Sequence, residues 1–149
     1  MNIESLKASQ KTNQLFLVLA DHYDTSHATF YYYKKEEEWQ LVLETPALIG
    51  QRGMGEGKEG ARQTPIGEYT FGKLMGIAPN PGTKMEYHQI TEDDYWCGEQ
   101  YYNEFVDEKI MDHSNCTKVN DEHLIDYAKP YEYTAFFNYN KECIKGKGS

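Results

Sequence analysis

Three strand-length runs rich in aliphatic, β-branched and aromatic residues follow one another near the start of the chain. Gln14-Leu-Phe-Leu-Val-Leu-Ala20 is continuously apolar after its first residue. The turn formers Asp21-His-Tyr-Asp-Thr-Ser26 separate it from His27-Ala-Thr-Phe-Tyr-Tyr-Tyr33, and the charged Lys34-Lys-Glu-Glu-Glu38 leads to Trp39-Gln-Leu-Val-Leu-Glu-Thr45 and then Pro46. Short runs of this composition, each closed by polar turn residues, predict an antiparallel meander. Residues 1–13 read as a short or frayed helical lead-in, and 14–149 as one domain without repeat or linker.

The next stretch is punctuated by glycine, at positions 50, 53, 55, 57 and 60. A phosphate-binding loop is one reading, but such loops sit between a strand and a helix. Here Thr64-Pro65-Ile66-Gly67 and a strand-like Glu68-Tyr-Thr-Phe71 follow. A surface loop with several positive-φ positions accounts for the glycines better. Gly72 to Gly82 reads as a second loop, ending in the turn former Pro79-Asn80-Pro81-Gly82. Residues 85–116 show no clean period, with a short helix expected around Asn103 to Met111. Tyr133-Thr-Ala-Phe-Phe-Asn-Tyr139 reads as a strand.

Charge narrows the function classes. Among 149 residues, 15 are Lys or Arg and 24 Asp or Glu, a net charge of −9. That argues against nucleic acid and against anionic lipid as partners. The longest apolar run, Leu15 to Ala20, is far short of the roughly 20 residues of a spanning helix, and no signal peptide is visible at the polar N-terminus. Cys97, Cys116 and Cys143 are odd in number and lack any C-x-x-C pattern, so free thiols are expected; one disulfide with a leftover thiol is the alternative in an exported setting.

Isolated chemistry-bearing residues decide little. His113 and Cys116 have metal-ligand spacing but no second pair, while His22, His27, His88 and His123 stand alone, so no metal or other cofactor is expected. Glu92-Asp93-Asp94 could be paired carboxylates for work at a sugar, but adjacent positions point apart, and a solvated turn is the expectation.

Several segments in order resemble one family. Gly60-Ala-Arg-Gln-Thr64-Pro65-Ile-Gly67-Glu-Tyr69-Thr-Phe71 is similar to the G-x-x-x-T-P-x-G-x-[FY] segment of the L,D-transpeptidases of the YkuD type, which are bacterial cell-wall enzymes. Asn80-Pro-Gly-Thr-Lys84-Met-Glu-Tyr87, then Ile90-Thr91 and Asp94-Tyr95-Trp96, resemble the PGTK-x-x-Y and T-x-x-DYW stretch of one branch of that family. Tyr101-Tyr102-Asn103, Glu122-His123-Leu124-Ile125-Asp126-Tyr127 and the Tyr133–Tyr139 strand follow in the same order, so the resemblance spans about residues 14–149.

The resemblance implies a mainly β fold, an antiparallel sheet or sandwich of the L,D-transpeptidase type with long loops and one or two short helices. It implies peptidoglycan peptide stems as the partner, a cell-envelope location, and a cofactor-free cysteine acyltransferase mechanism in complete members. That mechanism uses a His followed by Ser/Thr-x-Gly-Cys, in which the thiolate attacks a stem carbonyl. Neither Trp96-Cys97, Asn115-Cys116 nor Glu142-Cys143 fits the motif, so no catalytic residue is carried over. The expectation is a family domain that stops before its nucleophile and is inactive alone. An unpaired edge at Tyr133–Tyr139 would then lead it to form a homo-oligomer or take up a complementing C-terminal fragment. Tyr95, Trp96, Tyr102 and His123 are the expected pocket-lining residues, set against plain core or loop packing. The competing functions are a non-catalytic module binding glycan, peptide or protein, and an inert gene remnant.

Overall fold

The computed structural model describes residues 2–112 and 121–148. The chain is mainly β. Among the described residues its helical content is three 3-10 turns of three residues each, at Ile3–Ser5, Ala8–Gln10 and Leu124–Asp126. The chain divides into two compact units, Met1–Glu68 and Tyr69–Ser149.

The first unit contains the expected meander. Strands β1 (Gln14–Leu19), β2 (His27–Lys35) and β3 (Trp39–Leu48) pair antiparallel in the order β1-β2-β3. Phe16 stands opposite Tyr32, and Val18 opposite Phe30. The Phe16 ring lies 5.3 Å from that of Phe30 and 4.9 Å from that of Tyr32. Such same-face aromatic pairs are the unit of sheet stabilisation. Strand β3 runs past the point where the sequence reading stops it, with Pro46 opposite Thr29. Pro46 lacks a donor, but β3 is an edge strand, where a missing donor on the open side costs no ladder bond. Two short strands, β4 (Met54–Gly55) and β5 (Thr64–Pro65), form a parallel pair across the glycine-rich loop. In that loop Gly53, Gly57 and Gly60 all have positive φ.

The second unit holds two three-stranded sheets. One has the order β11-β6-β7, from β6 (Phe71–Gly76), β7 (Tyr87–Gln89) and β11 (Thr134–Phe137). Strand β11 is antiparallel to β6, and β7 is parallel to it. The other has the order β10-β8-β9, from β8 (Asp94–Cys97), β9 (Glu104–Asp107) and β10 (Glu122–His123), all antiparallel. Met75, Ile90 and Leu124 are buried together, with Trp96, Phe105 and Phe136 packed on them. Trp96 of one sheet lies flat on Phe136 of the other, centroids 4.4 Å apart and planes 12° from parallel. Met75 and Leu124 are fully buried, which for side chains of this size is worth about 1.5–3 kcal/mol each.

Two expectations change in this unit. Gly72–Gly76 is not loop but part of β6, the middle strand of its sheet. Glycine is required there by close approach: a Cβ on Gly76 would lie 2.3 Å from the Tyr87 hydroxyl and 2.4 Å from the Glu132 carbonyl oxygen, and one on Gly72 2.6 Å from Asn138 Oδ1. The helix expected around Asn103–Met111 is instead β9 followed by a turn, with Phe105 opposite Trp96 and Val106 opposite Tyr95. Pairing with β8 overrides the weak helical propensity of a four-residue segment.

Candidate functional site

The candidate residues lie in the second unit, around β7, β8 and β10. Tyr95 and His123 are brought together. They are opposite each other in the β8–β10 register, and their rings stack 4.6 Å apart at 18°. Both imidazole nitrogens are engaged: Nε2 lies 2.8 Å from the Glu92 carbonyl oxygen and Nδ1 3.0 Å from Asp126 Oδ2. Both partners are acceptors, so only the imidazolium can donate to both. Burial pulls the His123 pKa down, but the bonds to Glu92 and Asp126 and the Asp126 and Glu108 charges outweigh it, and the net shift is upward.

This gives a signed expectation for pH. A histidine whose folded pKa exceeds its unfolded value of about 6.5 stabilises fully below that value and loses its contribution as pH rises through the folded pKa. Unfolding free energy is therefore expected to fall as pH rises above about 6.5 and through the raised folded pKa, and His123→Gln to remove that part of the slope. Urea titrations of both proteins at several pH values measure the difference, and identical slopes would refute it.

Trp96 and Tyr102 do not join this pair. Trp96 packs on the core between the sheets. Tyr102 is buried, and its hydroxyl accepts the Gly148 N–H at 2.9 Å.

A second constellation was not visible in the sequence. Asp94 is fully buried rather than part of a solvated acidic turn. Its Oδ2 accepts from Thr91 N–H at 2.7 Å, from the Thr91 hydroxyl at 3.1 Å, and faces His88 Nε2 at 2.8 Å. With Asp94 accepting, Nε2 carries the proton and the carboxylate fixes the imidazole orientation. Among the described residues, Asp94 Oδ1 is buried without a hydrogen-bond partner. The His88 ring stands edge-on to Phe105 at 4.9 Å, and Lys73 Nζ lies 3.7 Å from the centroid of the Phe105 ring, a cation–π contact. Burial holds the Lys73 pKa below its ordinary value, against the pull of Glu86 and Asp94. The signal that points to this arrangement is Thr91-x-x-Asp94, a local turn in which the aspartate caps the Thr91 backbone.

The thiols are unlike one another. Cys97, expected free, is disulfide-bonded and fully buried at the end of β8; spatial proximity, not sequence spacing, decides such pairing. Cys143 is free. Burial and the neighbouring Glu104 and Glu142 carboxylates raise its pKa, the opposite of what an attacking thiolate needs. Cys116 and its candidate metal partner His113 lie outside the described residues. Among the described residues, no three His, Cys, Asp or Glu side chains converge to hold a metal ion, and no helix is long and apolar enough to cross a membrane. No family model, curated protein or solved structure matches the chain.

Proposed function

We propose that this chain is a domain of the L,D-transpeptidase family that holds cell-wall peptide stems without carrying out acyl transfer through its own cysteines. The observation that carries the reading is the ordered run of segments from Gly60 to Tyr139 that resemble the family. The mainly β architecture is compatible with it. The Cys97 disulfide supports an oxidising, cell-envelope location, since such bonds persist outside reducing cytosol. The chemistry of the thiols supports inactivity. Cys97 is tied up, the Cys143 environment favours the protonated thiol, and no cysteine in the sequence follows a Ser/Thr-x-Gly.

Two measurements test the two halves of this reading. Incubation with a penem β-lactam followed by intact-mass spectrometry is expected to leave the chain unmodified; a stoichiometric adduct on any cysteine would refute the claim of inactivity. Sedimentation with purified peptidoglycan sacculi is expected to carry the protein into the pellet, whereas a protein left wholly in the supernatant would overturn stem holding.

A further inference from the structure

We propose that Lys73 and His88, gathered around the Phe105 ring, form a site that captures a small aldehyde as an iminium on the lysine. The inference stands on the geometry of the second unit and does not depend on the family reading.

Strands β6 and β7 put the two groups on one face of their sheet. Met75 stands opposite His88 in the parallel register. Lys73, two residues earlier in β6, projects to the same side as Met75. The Phe105 ring of β9 lies against both groups, 4.9 Å from the imidazole and 3.7 Å from Lys73 Nζ.

The amine is held without being paired. Among the described residues no hydrogen bond or ion pair reaches Lys73 Nζ; it rests on the ring face and feels the Glu86 and Asp94 charges from farther off. Lys73 is half-buried, and burial favours its neutral form, which is the form that attacks a carbonyl.

The imidazole is oriented as a base. Asp94 Oδ2 holds the proton on His88 Nε2 at 2.8 Å, which leaves the lone pair on Nδ1. Among the described residues Nδ1 has no hydrogen-bond partner, and the His88 side chain is 31% exposed. The ring is therefore anchored at one nitrogen and uncommitted at the other.

The reaction needs no co-reactant beyond the aldehyde. His88 Nδ1 takes a proton from the ammonium. The Nζ lone pair attacks the aldehyde carbon, a proton passes from nitrogen to the former carbonyl oxygen, and a carbinolamine forms. The His88 imidazolium then returns its proton to that hydroxyl. The C–O bond breaks, water leaves, and the nitrogen lone pair closes the C=N bond. One ammonium and one aldehyde give one iminium and one water. The charge of the product selects an aldehyde over an acyl donor. An iminium keeps the positive charge that the Phe105 face, Glu86 and Asp94 stabilise, whereas an amide discards it. Asp94 Oδ1, without a donor among the described residues, leaves part of that carboxylate's charge uncompensated.

The test treats the whole chain with limiting propanal and sodium cyanoborohydride, which reduces an iminium to a stable propylamine, and maps the modified lysines by peptide mass spectrometry. Lys73 is expected to react at least about tenfold faster than the exposed Lys84, and the preference to vanish in urea. His88→Gln keeps a donor for Asp94 but has no basic nitrogen, so it should lower the Lys73 rate by at least about tenfold and leave the Lys84 rate unchanged. If His88→Gln loses its near-ultraviolet circular dichroism, Asp94→Asn, which keeps the Thr91 contacts, takes its place with the same direction expected. Equal rates at Lys73 and Lys84 in the folded chain, a preference that survives urea, or a Lys73 rate untouched in the folded variant overturns the proposal.

Discussion

Asp94→Ala is expected to destabilise the second unit by about 3 kcal/mol, the sum of orphaned donors rather than of lost volume. The substitution strips the acceptor from Thr91 N–H and from His88 Nε2, bonds of 2.7 and 2.8 Å. Asp94 is fully buried, so water does not replace the lost oxygen without opening the turn. Asp94→Asn is the informative companion. Its carbonyl oxygen keeps the Thr91 contacts, and the neutral amide forfeits only the charge-assisted part of the His88 bond, so a loss of about 1 kcal/mol is expected. The two tryptophans, Trp39 and Trp96, fall one in each unit, and Trp96 is two residues along β8 from the mutated position. Urea unfolding in a Trp39→Phe background therefore reads the second unit alone. If alanine and asparagine cost the same, Asp94 acts through its volume and the hydrogen-bond account fails.

Gly53→Ala should unfold or severely weaken the first unit, at a cost of about 3 kcal/mol or more. Gly53 has φ +78°, and an added Cβ would fall 1.9 Å from the Tyr23 carbonyl oxygen and 2.9 Å from Asp24 Cα. Both are backbone atoms, and the Tyr23 oxygen already accepts the Met54 N–H at 2.8 Å, so neither can swing aside as a side chain does. Gly60→Ala is the control. Gly60 has a similar φ of +71°, but nothing lies within 4 Å of its added Cβ. It should therefore lose only the about 1 kcal/mol that positive φ costs a residue with a side chain. Urea unfolding in a Trp96→Phe background, with Trp39 as the reporter, separates the two, and equal losses would mean that backbone conformation alone, not the Tyr23 approach, demands glycine at position 53.

Legibility in the sequence tracked strand length. The meander was readable because β1, β2 and β3 are six to ten residues long, enough for aliphatic and aromatic residues to stand out against charged turns. Strand β11, only Thr134–Phe137, was readable because the aromatic-rich run Tyr133–Tyr139 around it is longer than the strand itself. In β7, β8, β9 and β10 the strands are two to four residues long, too short for a period of two to declare itself. Strand β6 was hidden by Gly72 and Gly76, whose role is to admit Asn138, Tyr87 and Glu132 rather than to make a loop. The Tyr95–His123 stack joins residues that the sequence reading had singled out separately, through strand pairing that spacing does not encode. The Asp94–His88 pair was missed because a carboxylate among acidic neighbours reads as solvated, whereas the turn from β7 into β8 brings it, fully buried, to 2.8 Å from His88 Nε2. Cys97 shows the same limit, since pairing depends on where the chain brings two sulfurs.

The way β6 is flanked also governs the order in which the chain acquires its structure. In the meander of the first unit, β2 and β3 each pair with the strand just synthesised, across short turns, so loop-closure entropy is small. In the second, β6 gains its antiparallel neighbour only when Ala135 returns to Leu74, with both strands of the β8–β9 pair formed in between. Pairings this distant in the chain close slowly. A ribosome-bound or refolding molecule would thus pass through a stage in which the meander is formed while β6 still waits for β11, and chaperones or proteases would meet that half-finished sheet.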